Sequence, residues 1–133
     1  MNSMNEYVTD THTLYWYLTA SPFLSRVAKN AFDEGKQGNA LIYIPAIVFA
    51  ELFYMNVKLK NQIDFAVEFQ KIKQSAQFIL VPFEADDVLD FDQDSAVKEM
   101  HDRMIVGVAR RLNAPLLTKD ANITASGLVK IIW

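Results

Sequence analysis

The stretch "KEMHDRMIVGVARRLNAPLLTKD", Lys98 to Asp120, carries most of the information that decides the fold. Its first part sets Met100, Met104, Val108 and Leu112 on one stripe with charges between them, the pattern of an amphipathic helix. "APLLT" follows with apolar residues in a run, as in a strand buried on both faces. An acid, Asp120, comes soon after it. A helix leading into a buried strand that ends near a carboxylate is the repeating unit of an α/β protein.

The same unit recurs outward from there. "YVT" (Tyr7 to Thr9) is a short β-rich run, followed by Asp10 and then by the helical pattern "THTLYWYL". "SPFLSRVAKNAFDEGKQG" opens with a Ser-Pro turn and spaces Leu24, Val27, Ala28, Ala31 and Phe32 as a helix, closed by Gly35 and Gly38. "ALIYI" predicts a buried strand, and the helix of "IPAIVFAELFYMNV" starts behind Pro45. "QIDFAVEFQKIKQ" is a further helix, and "FILV" is a third strand stopped by Pro82. The acidic "FEADDVLDFDQDSAVKEMHD" is expected to hold one short helix and a loop, and "VKIIW" is a fifth strand. The prediction is one α/β domain over residues 1–133, built on a parallel sheet. Functional groups in such sheets gather outside the carboxyl ends of the strands. Asp10 and Asp120 fall there.

The composition sets outer limits. The chain has 133 residues, 51% of them hydrophobic and 22% charged, enough for one domain with a core. A net charge of −3 gives no global basic field for a polyanion, so such a partner needs local patches or a bound metal. There is no cysteine, which removes disulfides, zinc–thiolate sites and thiol catalysis and fits a reducing cytoplasm. "MNSMNEYV" has neither the basic nor the apolar part of a signal peptide. The apolar run Ala40 to Met55 is broken by Pro45 and Glu51 and falls short of the ~20 residues of a spanning helix, so no membrane association is expected.

Four carboxylates have no evident partner in their local sequence. Asp10 is the only charged residue between Glu6 and Arg26, and Glu51 the only one between Lys36 and Lys58. Asp102 has Lys98 one turn behind it, and Asp120 has Lys119 beside it. Each has a plain structural explanation: an Asp after a strand caps a helix, and Asp102 can pair with Lys98 or Arg103. Together the four read differently, because converging carboxylates repel one another and a divalent cation removes that cost. With oxygen ligands alone, Mg²⁺ or Mn²⁺ is the expected ion.

"YVTDTHTLYWYL", "IPAIVFAELFY", "MHDRMIVGVARRLNAPLLTKDANI" and "VKIIW" resemble, in that order, the PIN domain, with the VapC-type toxins of toxin–antitoxin pairs as the branch most alike. The resemblance spans Tyr7 to Trp133. It implies a central five-stranded parallel sheet with helices on both faces. The acidic quartet of that family falls on Asp10, Glu51, Asp102 and Asp120, and its recurrent hydroxyl on Thr118. It further implies a Mg²⁺- or Mn²⁺-dependent ribonuclease acting on RNA, a homodimer, and an antitoxin that silences it. Asn122 departs from the pattern, since many relatives carry an acid there. Glu99 falls where some relatives have an acid, and it is not expected among the ligands.

Two other readings compete. A response-regulator receiver would need an acid ending the third strand and a lysine after the fifth, and neither is in place. A PIN-like module that binds metal or a partner without cutting stays open, since activity is not visible in a sequence. His12 and His101 are expected to be structural, Tyr15, Trp16 and Tyr17 to make core and dimer contacts, and Lys58, Lys60, Lys71 and Lys73 to form either a basic rim or a solvated face.

Overall fold

The structure, a computed structural model, describes residues 4–133. Five strands form one sheet: β1 (Asn5–Thr9), β2 (Ala40–Pro45), β3 (Phe78–Val81), β4 (Leu116–Leu117) and β5 (Ile131–Ile132). All pairings are parallel, in the order β3-β2-β1-β4-β5. The helices are α1 (Thr11–Leu18), α2 (Arg26–Lys36), α3 (Ala46–Lys58), α4 (Phe65–Gln74), α5 (Met100–Leu112) and α6 (Ala121–Ser126), with a 3-10 helix over Ala85–Asp90. Among the described residues, no helix is long and apolar enough to cross a membrane.

The chain steps from β1 through β2 to β3 in one direction, then returns across the sheet to β4 and moves on to β5. Right-handed crossovers therefore send the two sets of connections to opposite faces, and the reversal falls between β1 and β4. That seam places the site. The core is fullest beside it: Val8, Ile42, Ile44, Leu116 and Leu117 are fully buried, packed with Leu14, Phe32, Val48, Leu52, Ile105 and Val106 from the helices.

Some expectations shift. β4 is shorter than "APLLT", because Pro115 has no N–H to give and the Ala114 amide bonds back to Ala109 in α5. β5 likewise keeps only Ile131 and Ile132 of "VKIIW". Gly35 lies inside α2 rather than closing it, while Gly38 turns the chain at φ +80°. α6 is a helix that composition did not announce. The α5 stripe also differs, since Met100 and Leu112 are exposed and the buried face is Ile105, Val106, Val108 and Ala109. Steps of four residues overshoot a 3.6-residue turn, so a stripe drawn that way spirals off the core.

The acidic segment before α5 is tied down. Asp94 is fully buried and takes both ends of the Arg110 fork, at 2.8 Å from Nε and 3.2 Å from Nη2. Arg111 reaches Asp90 at 3.0 Å and Asp87 at 3.5 Å, and Arg103 donates to the carbonyl of Val97 at 2.6 Å. Gly107 makes room for this, since a Cβ there would sit 3.0 Å from Nη1 of Arg111 and 3.5 Å from a carboxylate oxygen of Asp94.

Candidate metal centre

The register that pairs Thr9 with Leu117 brings Asp10 beside Thr118 one step further on. Asp10 caps α1: one oxygen accepts the Thr13 amide at 2.9 Å, and the other accepts the Thr118 hydroxyl. The Thr118 oxygen in turn accepts the amide of Asp120 at 3.0 Å. Asp120 caps α6, accepting the Ile123 amide at 2.8 Å. The capping role and a role at the seam thus belong to the same two aspartates. Thr118 is fully buried between them.

Glu51 lies midway along α3, where Thr11 donates to it at 2.7 Å and Nδ1 of His101 stands 3.7 Å from its other oxygen. The same His101 nitrogen is 3.2 Å from Glu99, whose second oxygen accepts the Asp102 amide at 2.7 Å and caps α5. Glu99 is therefore held to backbone and imidazole. Asp102 is different. Its expected partners are engaged elsewhere or absent: Arg103 bonds to carbonyls of the acidic segment, and no ion pair of Lys98 occurs among the described residues.

The electrostatics join the four acids. Burial, then repulsion from Asp120, Glu99, Glu51 and Asp10, pushes the Asp102 carboxyl up to about 6. Burial also raises Asp10, against the hydrogen bonds of Thr118 and Thr13 and the charge of His12. Among the described residues, no lysine or arginine side-chain nitrogen lies within 4.0 Å of a carboxylate oxygen of Asp10, Glu51, Asp102 or Asp120. A cleft of about 410 Å³ opens on Asp102, lined also by Lys98, Glu99 and Asn122.

The donor chemistry suits a hard divalent cation, since it consists of carboxylates in mutual repulsion with a neutral hydroxyl between two of them. The arrangement is nonetheless open: among the described residues, no three acidic or imidazole groups stand close enough to chelate one ion as they are. Of the four lysines of the basic rim or solvated face, Lys71 is turned to other partners. Lys71 pairs with Glu68 and lines a separate cleft with Lys29 and Lys36.

Thr11 and His101 are the site neighbours that sequence reasoning missed. His101, expected to be structural, stands between Glu51 and Glu99. Thr11 follows Asp10 directly, but its partner is 40 positions away and nothing local points to it.

Fold and site together define a parallel α/β domain with an acid-lined switch point. The sequence profile of the PIN domain matches residues 7–126, and the chain belongs to that family. Among solved structures, it superposes on Mycobacterium tuberculosis VapC20, a sarcin-ricin loop cleaving toxin, with a TM-score of 0.70 at 16% identity, covering 96% of this chain and 99% of that one. VapBC2 from Rickettsia felis, bound to a DNA fragment from their promoter, gives a TM-score of 0.66 at 19% identity, with 95% and 96% covered. FitAcB from Neisseria gonorrhoeae gives 0.65 at 20%, with 94% and 95% covered. At such identities the likeness is one of fold. No curated protein sequence matches the chain.

Proposed function

We propose that this chain is a Mg²⁺- or Mn²⁺-dependent endoribonuclease of the VapC kind, a cytoplasmic homodimer held silent by a cognate antitoxin. The observation that carries the nuclease reading is the seam between β1 and β4, where Thr118 joins Asp10 to Asp120 and where, among the described residues, neither these acids nor the half-buried Asp102 has an ion pair to lysine or arginine. Asp10, Glu51, Asp102 and Asp120 would hold the ion. The bound ion would neutralise the scissile phosphate and lower the pKa of a water.

The remaining work falls to the protein. Thr118 fixes Asp10 by donating to it and fixes the start of α6 by accepting from Asp120. Thr11 holds one Glu51 oxygen, leaving the other, on the His101 side, to take a proton from the attacking water. Asn122, in the cleft with Asp102, offers a neutral oxygen where an acid would bind a cation more tightly. The fold likeness to VapBC2 and to FitAcB supports the antitoxin part of the reading.

The test is RNA cleavage by purified protein with Mg²⁺ or Mn²⁺, with EDTA and an Asp10→Asn/Asp120→Asn double variant as controls. Metal-dependent cleavage that the variant lacks is the expected result. Metal-induced thermal stabilisation without cleavage of any RNA tried would leave the second reading, a binding module that does not cut, which the open spacing of the acids favours.

A further inference from the structure

We infer that the rings around Trp16 form a stacking subsite for an unpaired nucleobase of single-stranded RNA, next to the acids. The inference deepens the nuclease reading and rests on it for the substrate class. The three consecutive aromatics of α1 go separate ways. Tyr15 is buried, and Tyr17 stacks flat on Phe32 at 4.1 Å and 7°, so these two belong to the core. Trp16 instead meets His12, Phe23 and Trp133, with centroids at 5.6, 5.7 and 5.8 Å and tilts of 54–56°.

This cluster is not closed off as a core cluster would be. Phe23 is 66% exposed, His12 is exposed, and Trp16 and Trp133 are half-buried. A cation completes it, the Nζ of Lys119 standing 6.0 Å from the Trp16 ring centre. Both ends are tied to the acidic centre through the chain itself. His12 lies two residues after Asp10, and Lys119 directly precedes Asp120.

Two exposed rings, Phe23 and His12, beside a tryptophan with an ammonium over it match the two parts of a nucleotide, a flat base and a phosphate. The chain also needs such a site. Its net charge of −3 makes phosphate neutralisation a weak source of RNA affinity, and stacking is independent of charge.

The chain has two tryptophans, and both lie in this cluster, so intrinsic fluorescence reads the site directly. Asp10→Asn protein in Mg²⁺ is titrated with a short oligouridylate and with an abasic ribose-phosphate chain of equal length. The oligouridylate is expected to quench the tryptophans and the abasic chain to leave them bright. Phe23→Ala/His12→Ala, at two exposed positions and checked for folding by circular dichroism, should weaken oligouridylate binding by about 5-fold or more. Lys119→Gln should weaken both probes alike. Equal quenching by both probes, or none by either, overturns the inference. So does a fluorescence change on dilution that tracks dimer dissociation in sedimentation, which would make the rings a subunit contact. Wild-type cleavage is scored separately: cleavage without base-dependent quenching removes the stacking subsite and leaves the nuclease, whereas quenching without cleavage upholds the subsite and refutes the nuclease reading.

Discussion

Two acidic regions meet on α5, and they could hardly be more different. On one side Asp87, Asp90 and Asp94 face Arg110 and Arg111, and each of these three carboxylates has an arginine. At the first turn of the same helix, Asp102 faces Asp120, Glu51 and Asp10, and no lysine or arginine among the described residues answers any of them. The segment richest in acids is thus the structural one. What sets the candidate site apart is uncompensated charge held by neutral donors, here Thr118, Thr13 and Thr11.

The contrast breaks most sharply at Asp10 and Asp120. Asn at either position keeps an N-cap, so the fold should survive while metal-dependent RNA cleavage falls by at least ~10²-fold, a size typical for removing one group that stabilises transition-state charge. Unchanged cleavage rates with a folded variant would mean the seam between β1 and β4 is not where the chemistry occurs.

Next in size is the compensated side. Asp94→Ala leaves the Arg110 fork part-buried without its carboxylate and should cost about 3 kcal/mol in urea unfolding, with little effect on cleavage per folded molecule. A loss under ~1 kcal/mol would show that the pair is no better than a surface one.

Asp102 should move the other way. Its folded pKa of about 6 lies above the ordinary 3.8, so the folded state holds the proton more tightly, and stability falls as pH rises between those values. Asp102→Asn removes that cost. It should stabilise the metal-free protein by about 1–2 kcal/mol at neutral pH, the shift being discounted for the partial exposure of the group, and by little at pH values below the ordinary carboxylate range. Denaturant titrations at two pH values check it, and equal gains at both would assign the effect to packing rather than charge.

The smallest effect belongs to Arg111, whose pairs with Asp87 and Asp90 are partly solvated. Arg111→Ala should change stability by less than ~1 kcal/mol, most visibly at low salt.

The sequence exposed the fold well because its strands are buried on both faces and its helices are amphipathic, so each reads by period alone. The candidate acids stand out in the sequence for a related reason, since isolated carboxylates in apolar or uncharged runs are conspicuous by contrast. The ends of β4 and β5 and the helix α6 were not legible, because the Ala114 amide turns back to α5 before Pro115 and α6 is started by amides that donate to Asp120. Nor were Thr11 and His101, whose significance depends on Glu51 arriving from another helix. The rings of "YWY" could not be sorted from the sequence either. Only the direction of α1 against α2 and β5 sends Tyr17 onto Phe32 and Trp16 toward Trp133.

Asp10 and Asp120 each divide their attention, holding a backbone amide while belonging to the charged seam. The amides of Thr13 and Ile123 are therefore wired to the site, and their hydrogen-exchange rates become a native reporter of it. Whatever draws electron density from those carboxylates must loosen the caps, and whatever rigidifies them must slow the exchange. Occupancy could be followed at two backbone positions without a substrate or a turnover.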